Sequence, residues 1–220
     1  MKKILFIIMI LGIALRFTLQ FVFPSFNVDE ISLASNFYKT YYQLLFPLDN
    51  LQSSPPLYLW TQKTIISFFP FSFWVNVKIL SFISSSLGLY FFYRLILKSD
   101  IYLAIFMMVL FTFNPYIIYN SLTVKQYTID LLGILILLNF YKDYYFLKFN
   151  AIFFCIWSLF SNLGLFGVAG FLVFQYFILF DKINFSNIIL FTKKNIFTFI
   201  STLPYMIYFS WFMNQKGSAE

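Results

Sequence analysis

From Ile4 to Phe23 the chain runs apolar for a full membrane-crossing length, with Arg16 its one charged residue. About 20 mostly apolar residues are what a helix needs to cross a bilayer. In lipid a spanning segment must also satisfy its own backbone, which limits it to helices and closed barrels. Lys2 and Lys3 precede the run in the manner of a secretory signal, but no small-x-small cleavage pattern follows and the apolar stretch continues past Arg16. It reads as an uncleaved anchor.

Six further apolar stretches follow, from about Trp74 to Leu97, Ile101 to Tyr119, Ile129 to Tyr141, Ala151 to Leu163, Leu165 to Phe180 and Ile196 to Trp211. The expected fold is all-α: a polytopic transmembrane helix bundle of about seven spans, one domain over residues 1–220, with an elaborated outer-face loop at 24–73. The fifth and sixth stretches are short and read either as a tight pair or as one re-entrant unit. Composition agrees, since 61% of residues are hydrophobic and only 10% charged, against about a quarter charged in soluble domains. One water-soluble core of this size could not hide so much apolar surface.

The formal charge of +7 does not point to nucleic acid, because the basic residues fall in small groups between apolar runs and form no single patch. Their distribution sets an orientation instead. With a cytoplasmic N-terminus, the inner face holds Lys2, Lys3, Arg94, Lys98, Lys142, Lys148, Lys182, Lys193 and Lys194. The outer face then holds Lys39, Lys63, Lys125 and Lys216, with Lys78 near that interface. The inner loops are all brief, so chemistry belongs on the outer side or within the bundle. Cys155 is the single cysteine and there is no histidine, which excludes an internal disulfide and a Cys/His metal site. The thiol reads as buried and structural.

Within the outer loop, Ile31, Ala34, Tyr38, Tyr41 and Leu45 recur at helical spacing, opposite Ser32, Ser35, Lys39 and Gln43. This predicts a helix over 28–46 lying along the membrane surface. Ser53 or Ser54 would cap a second interfacial helix with Pro55 and Pro56 in its first turn. Asp29 and Glu30 sit at the start of the loop. Acids in a first turn favour the helix dipole, and that plain reading stands beside a functional one. Paired carboxylates at a membrane surface could supply a general base and, through Asp29 and Glu30, ligands for a divalent metal.

A second constellation, NSLTVKQYTID, opens the fourth span from outside. Gln126 and Asp130 share a helix face, Tyr127 points nearly the same way, and Lys125 lies at the boundary. An acid inside a span is expensive, so Asp130 should face the bundle and find a partner. Lys125 and Arg16 are candidates to anchor a phosphate near the interface, set against structural pairing and snorkelling. In GLFGVAG, the spacing of Gly164, Gly167 and Gly170 predicts close helix packing rather than a phosphate loop.

FNVDEISLASNFY, QSSPPLYLW and SLTVKQYTID, taken in this order within residues 1 to about 145, resemble the N-terminal half of the GT-C glycosyltransferases. The likeness is to the protein mannosyltransferase and aminoarabinose transferase branch, which uses polyprenyl-phosphate sugars. The resemblance implies transfer of a sugar from a polyprenyl-phosphate donor to a glycan, lipid or protein acceptor on the non-cytoplasmic face, in a bacterial inner (plasma) membrane. It implies Asp29, with Glu30 beside it, in the active site, and Lys125, Arg16, Gln126, Tyr127 and Asp130 toward the lipid phosphate. Members often carry His before the Pro-Leu-Tyr segment, where this chain has Ser53 and Ser54. They are also about twice as long, so the chain is expected to be the N-terminal part of a larger module or an inactive truncated form. The competing class is a non-enzymatic polysaccharide flippase or transporter subunit, for which charges along several spans and broken helices would speak.

Overall fold

The structure, a computed structural model, describes residues 2–22, 26–49, 52, 54–141, 144–179 and 185–217. Ser53, Lys142 and Lys182 of the sequence reading, with the span ends Phe23 and Phe180, lie outside them. All regular structure among the described residues is helical.

Helix α1 (Lys2–Val22) buries one stripe, Leu5, Met9, Gly12, Arg16 and Gln20. Its other faces carry exposed Ile4, Ile7, Leu11, Phe17 and Phe21, an apolar exterior that suits lipid and not water. The predicted 28–46 helix is replaced by α2 (Val28–Ala34) and two 3-10 turns, Ser35–Tyr38 and Gln43–Leu45. The reason is a second start signal. Gln43 Oε1 accepts the Thr40 N–H at 2.8 Å and Thr40 Oγ1 accepts the Gln43 N–H at 3.2 Å, a capping box that begins a new turn after an extended Lys39. Lys39 Nζ meets Asp49 at 2.8 Å, and Asn36 Oδ1 accepts the Asp49 N–H at 2.9 Å, folding the segment back on itself. Of the apolar stripe, Ile31, Tyr38 and Tyr41 are exposed; Leu33, Ala34, Phe37 and Leu44 form the buried side.

α3 (Pro56–Phe68) starts at Pro55 with no side-chain cap, so Ser54 does not cap it; Pro56 occupies the first turn, where its missing N–H is harmless. α4 (Phe73–Ile96) is the hub, packing on α1, α3, α5, α6 and, most extensively, α7. Small buried residues on it, Ser81, Ser84, Ser85 and Gly88, permit that close approach. α5 (Ile101–Phe113) and α6 (Pro115–Ser121) form a pair bent by 48°. The break is encoded: Pro115 has no N–H to give, and Asn114 Oδ1 takes the Tyr116 and Ile117 N–H groups at 2.9 and 3.1 Å.

Then come α7 (Tyr127–Phe140), α8 (Tyr144–Phe160), α9 (Gly164–Leu179), α10 (Phe185–Lys194), α11 (Ile196–Ile200) and α12 (Leu203–Gly217). Trp157 of α8 is wedged between two glycines: a Cβ at Gly133 of α7 or at Gly167 of α9 would strike its ring. Gly164 lies against the Ser158 backbone, where a Cβ would come within 2.7 Å, while Gly170 faces open space. Close packing therefore holds for two of the three glycines in GLFGVAG. Cys155 is half-buried rather than buried. Among the described residues, Lys2–Val22, Phe73–Ile96 and Ile196–Met213 are long and apolar enough to cross a membrane, and the bent α5–α6 pair would make a fourth. Tyr127–Phe140 and the two stretches after it are apolar but shorter.

Candidate functional site

Asn27, Asp29 and Glu30 are placed by the first turn of α2. Glu30 sits three residues into the helix and accepts the Asn27 N–H on Oε2 at 2.9 Å, completing a capping box. Its other oxygen does something that a local cap does not require. Oε1 accepts the Val124 N–H at 2.8 Å, in the turn between α6 and α7. That turn is held from two further sides. Gln20 of α1 donates to the Ser121 carbonyl at 3.0 Å, and Ser81 of α4 donates to the Thr123 and Lys125 carbonyls at 2.7 and 3.3 Å. Asn27 Nδ2 also donates to Tyr119 Oη at 2.6 Å. The stretch 122–126 after α6 is irregular backbone, and side chains from α1, α2 and α4 bond backbone groups in it and at the end of α6.

Glu30 is buried; Asp29 beside it is exposed and Lys125 is half-buried. Each of the latter two is one residue from the Glu30–Val124 bond, so the structure brings both loops of the sequence reading together through a residue pair that reading did not foresee. That reading assigned no site role to Lys78 or Tyr58. Lys78 and Tyr58 both feel the Glu30 charge, and Lys78 Nζ stands 4.3 Å from the Phe26 ring centre, a cation–π contact. Tyr58 is fully buried, and desolvation first, then the Glu30 carboxylate, push its phenol above its ordinary value of 10.0. The Asn27-x-x-Glu30 spacing was the available signal for the cap, and Tyr58 lies in the QSSPPLYLW segment that the sequence singled out, without a role of its own.

Arg16 lies elsewhere. It is fully buried and donates to Ser85 Oγ at 2.9 Å and to the Gly12 and Thr112 carbonyls at 3.0 Å each. The Thr112 carbonyl would bond the Tyr116 N–H in a continuous helix, but Asn114 takes that N–H. Arg16 thus caps the C-terminal end of α5, where a cation also suits the helix dipole. Its Nη2 finds no hydrogen-bond partner among the described residues. Gln126 is the N-cap of α7 without a side-chain bond, and Tyr127 is exposed. Asp130 is buried in the first turn of α7, as expected, but its Oδ1 finds no partner among the described residues.

The carboxylates do not fit a divalent metal. Both Glu30 oxygens are turned to backbone N–H donors, which leaves Asp29 alone, and no group of three or more metal-ligating side chains occurs among the described residues. The larger cavities are apolar. One of about 250 Å³ runs between α4, α7 and α8 along Leu80, Ser84, Leu87, Ile129, Gly133 and Trp157. Comparison with known protein families, with curated proteins and with solved structures finds no match.

Proposed function

We propose that the chain is the N-terminal part of a GT-C type membrane glycosyltransferase, which passes a sugar from a polyprenyl-phosphate donor to an acceptor hydroxyl on the non-cytoplasmic face. The observation that supports this reading is the Glu30–Val124 hydrogen bond, which ties the segment that carries Asp29 to the segment that carries Lys125 although they are far apart in sequence. In this reading seven spans cross a bacterial plasma membrane with the N-terminus cytoplasmic, and α2 and α3 lie at the outer interface. The acceptor hydroxyl attacks the anomeric carbon as the bond from that carbon to the phosphate oxygen breaks. Asp29 takes the hydroxyl proton, and Lys125 meets the charge that develops on the departing polyprenyl phosphate. Glu30 is a positioning residue that holds the two loops in register. A lipid donor keeps its tail in the bilayer, so an interfacial locus is where its phosphate arrives.

The test is sugar transfer from polyprenyl-phosphate hexoses by the full-length protein in membranes. Asp29→Asn should lower turnover by roughly two to four orders of magnitude, the value of a general base, at unchanged expression. Turnover equal to wild type removes Asp29 from the chemistry and leaves the likeness one of fold alone.

A second reading, a flippase or transporter subunit, is favoured by the bent α5–α6 pair and by the buried charges Arg16, Lys78 and Asp130 on three helices. Against it, Arg16 is accounted for as the cap of that very break. Movement of a fluorescent polyprenyl-phosphate sugar across vesicles, without transfer, would favour transport.

A further inference from the structure

Ser54, two residues before α3, and Tyr58 and Gln62 on the inward face of α3 are polar groups spaced four residues apart, with exposures of 6%, 0% and 0%. Ser54 Oγ, Tyr58 Oη and Gln62 Oε1 all lack a hydrogen-bond partner among the described residues. An apolar side chain at any of the three would have avoided the desolvation penalty of a buried polar atom, and clustered exceptions of this kind call for a cause. The seam is not uniformly closed. At its Ser54 end lies a cavity of about 20 Å³ walled by Pro55, Asn162, Tyr205, Tyr208 and Phe212. It is roomy enough for one hydroxyl group or water, and Tyr208 Oη there is also unpartnered. Tyr205 Oη donates to Asn162 Oδ1, so the wall combines aromatic faces with hydroxyl and amide groups.

The two ends of α3 are fastened differently. Asn76 of α4 binds the C-terminal end through the Ile66 and Phe69 carbonyls at 3.3 and 2.9 Å, and Gln62 Nε2 donates to the Val77 carbonyl. The N-terminal end begins with Pro55 and Pro56 and no side-chain cap.

We infer that the inward face of α3 is a seam for the hydroxyl groups of a sugar, with α3 hinged at its Asn76 end and lifting at its Ser54 end to admit it. Ser54, Tyr58 and Gln62 bond successive hydroxyls, and the Tyr205–Tyr208 wall receives the ring's C–H face. The inference rests on the proposed transferase reading and adds where the donor's sugar is held.

Binding should be measured in phosphatidylcholine nanodiscs, free of sugar-based detergent, for polyprenyl phosphate and for its glucose, mannose and galactose esters. The seam variants are Tyr58→Phe and Ser54→Ala, which remove an unpartnered atom and keep the fold. Each should weaken the preferred sugar ester about tenfold, the scale of one hydrogen bond, and leave polyprenyl phosphate unchanged. Lys125→Ala should weaken both lipids. Seam variants that bind the sugar ester as wild type does, while Lys125→Ala weakens it, overturn the seam and leave the transferase reading standing. Seam variants that weaken both lipids equally also overturn it. No binding of either lipid overturns the function and the seam together.

Discussion

Glu30 is a cap by position and a tie by geometry, and the two roles separate by mutation. Glu30→Ala strips the acceptor from the buried Val124 N–H and removes a charge beside Lys78 and Tyr58. Hydrogen bonds to a charged group are worth about 1.5–3 kcal/mol, so thermal unfolding in detergent should report a loss of at least that size. Asp29→Asn, at an exposed position, should unfold as wild type does. Tyr58 supplies a pH signature. Its phenol is raised in the folded state, so above the ordinary value of 10.0 the unfolded chain sheds a proton that the folded chain keeps. The stability this group contributes is present below that pH and declines as pH rises past it, by up to about 1.4 kcal/mol per pH unit. A melting series above pH 10 should show a shallower decline for Tyr58→Phe than for wild type.

At the scale of elements, the glycines discriminate. Gly12→Ala should destabilise by about 1–3 kcal/mol, because the new Cβ would strike the Thr112 methyl, which sits on a β-branched side chain with little freedom to turn away. Thr112→Ser removes that methyl and should recover most of the loss in a double-mutant cycle. Gly167→Ala should also destabilise, since Trp157 is blocked on its other side by Gly133; Gly170→Ala, facing open space, should be neutral or stabilising by up to about 1 kcal/mol. The apolar stretches were readable because α1 and α4 carry a nearly unbroken hydrophobic signal. The surface helix over 28–46 was misread because the stripe of Ile31, Tyr38 and Tyr41 outweighed the capping box at Thr40 and Gln43. The burial of Lys78 and its contact with the Phe26 ring were not legible, since no sequence spacing tells that the segment before α2 meets α4. Arg16 was legible as an unusual charge but not as a cap, because the carbonyl it serves is freed by a break at Asn114 and Pro115 in another helix.

For the whole molecule, the described helices make an all-helical fold with three candidate spans and a fourth in the bent pair, and the proposed chemistry requires that the α2 region face away from the cytoplasm. Thr40, just beyond α2, and Ser99, between α4 and α5, are both exposed and lie on opposite sides in the proposed topology. Single cysteines at these positions, Thr40→Cys and Ser99→Cys, in a Cys155→Ala background, should be labelled in intact cells with a membrane-impermeant maleimide. The account predicts that the position-40 thiol reacts from outside, and that the position-99 thiol reacts only after the membrane is opened. Reaction of the position-99 thiol in intact cells, with the position-40 thiol protected, would put Asp29, Glu30 and Lys125 on the cytoplasmic face and contradict the proposed site.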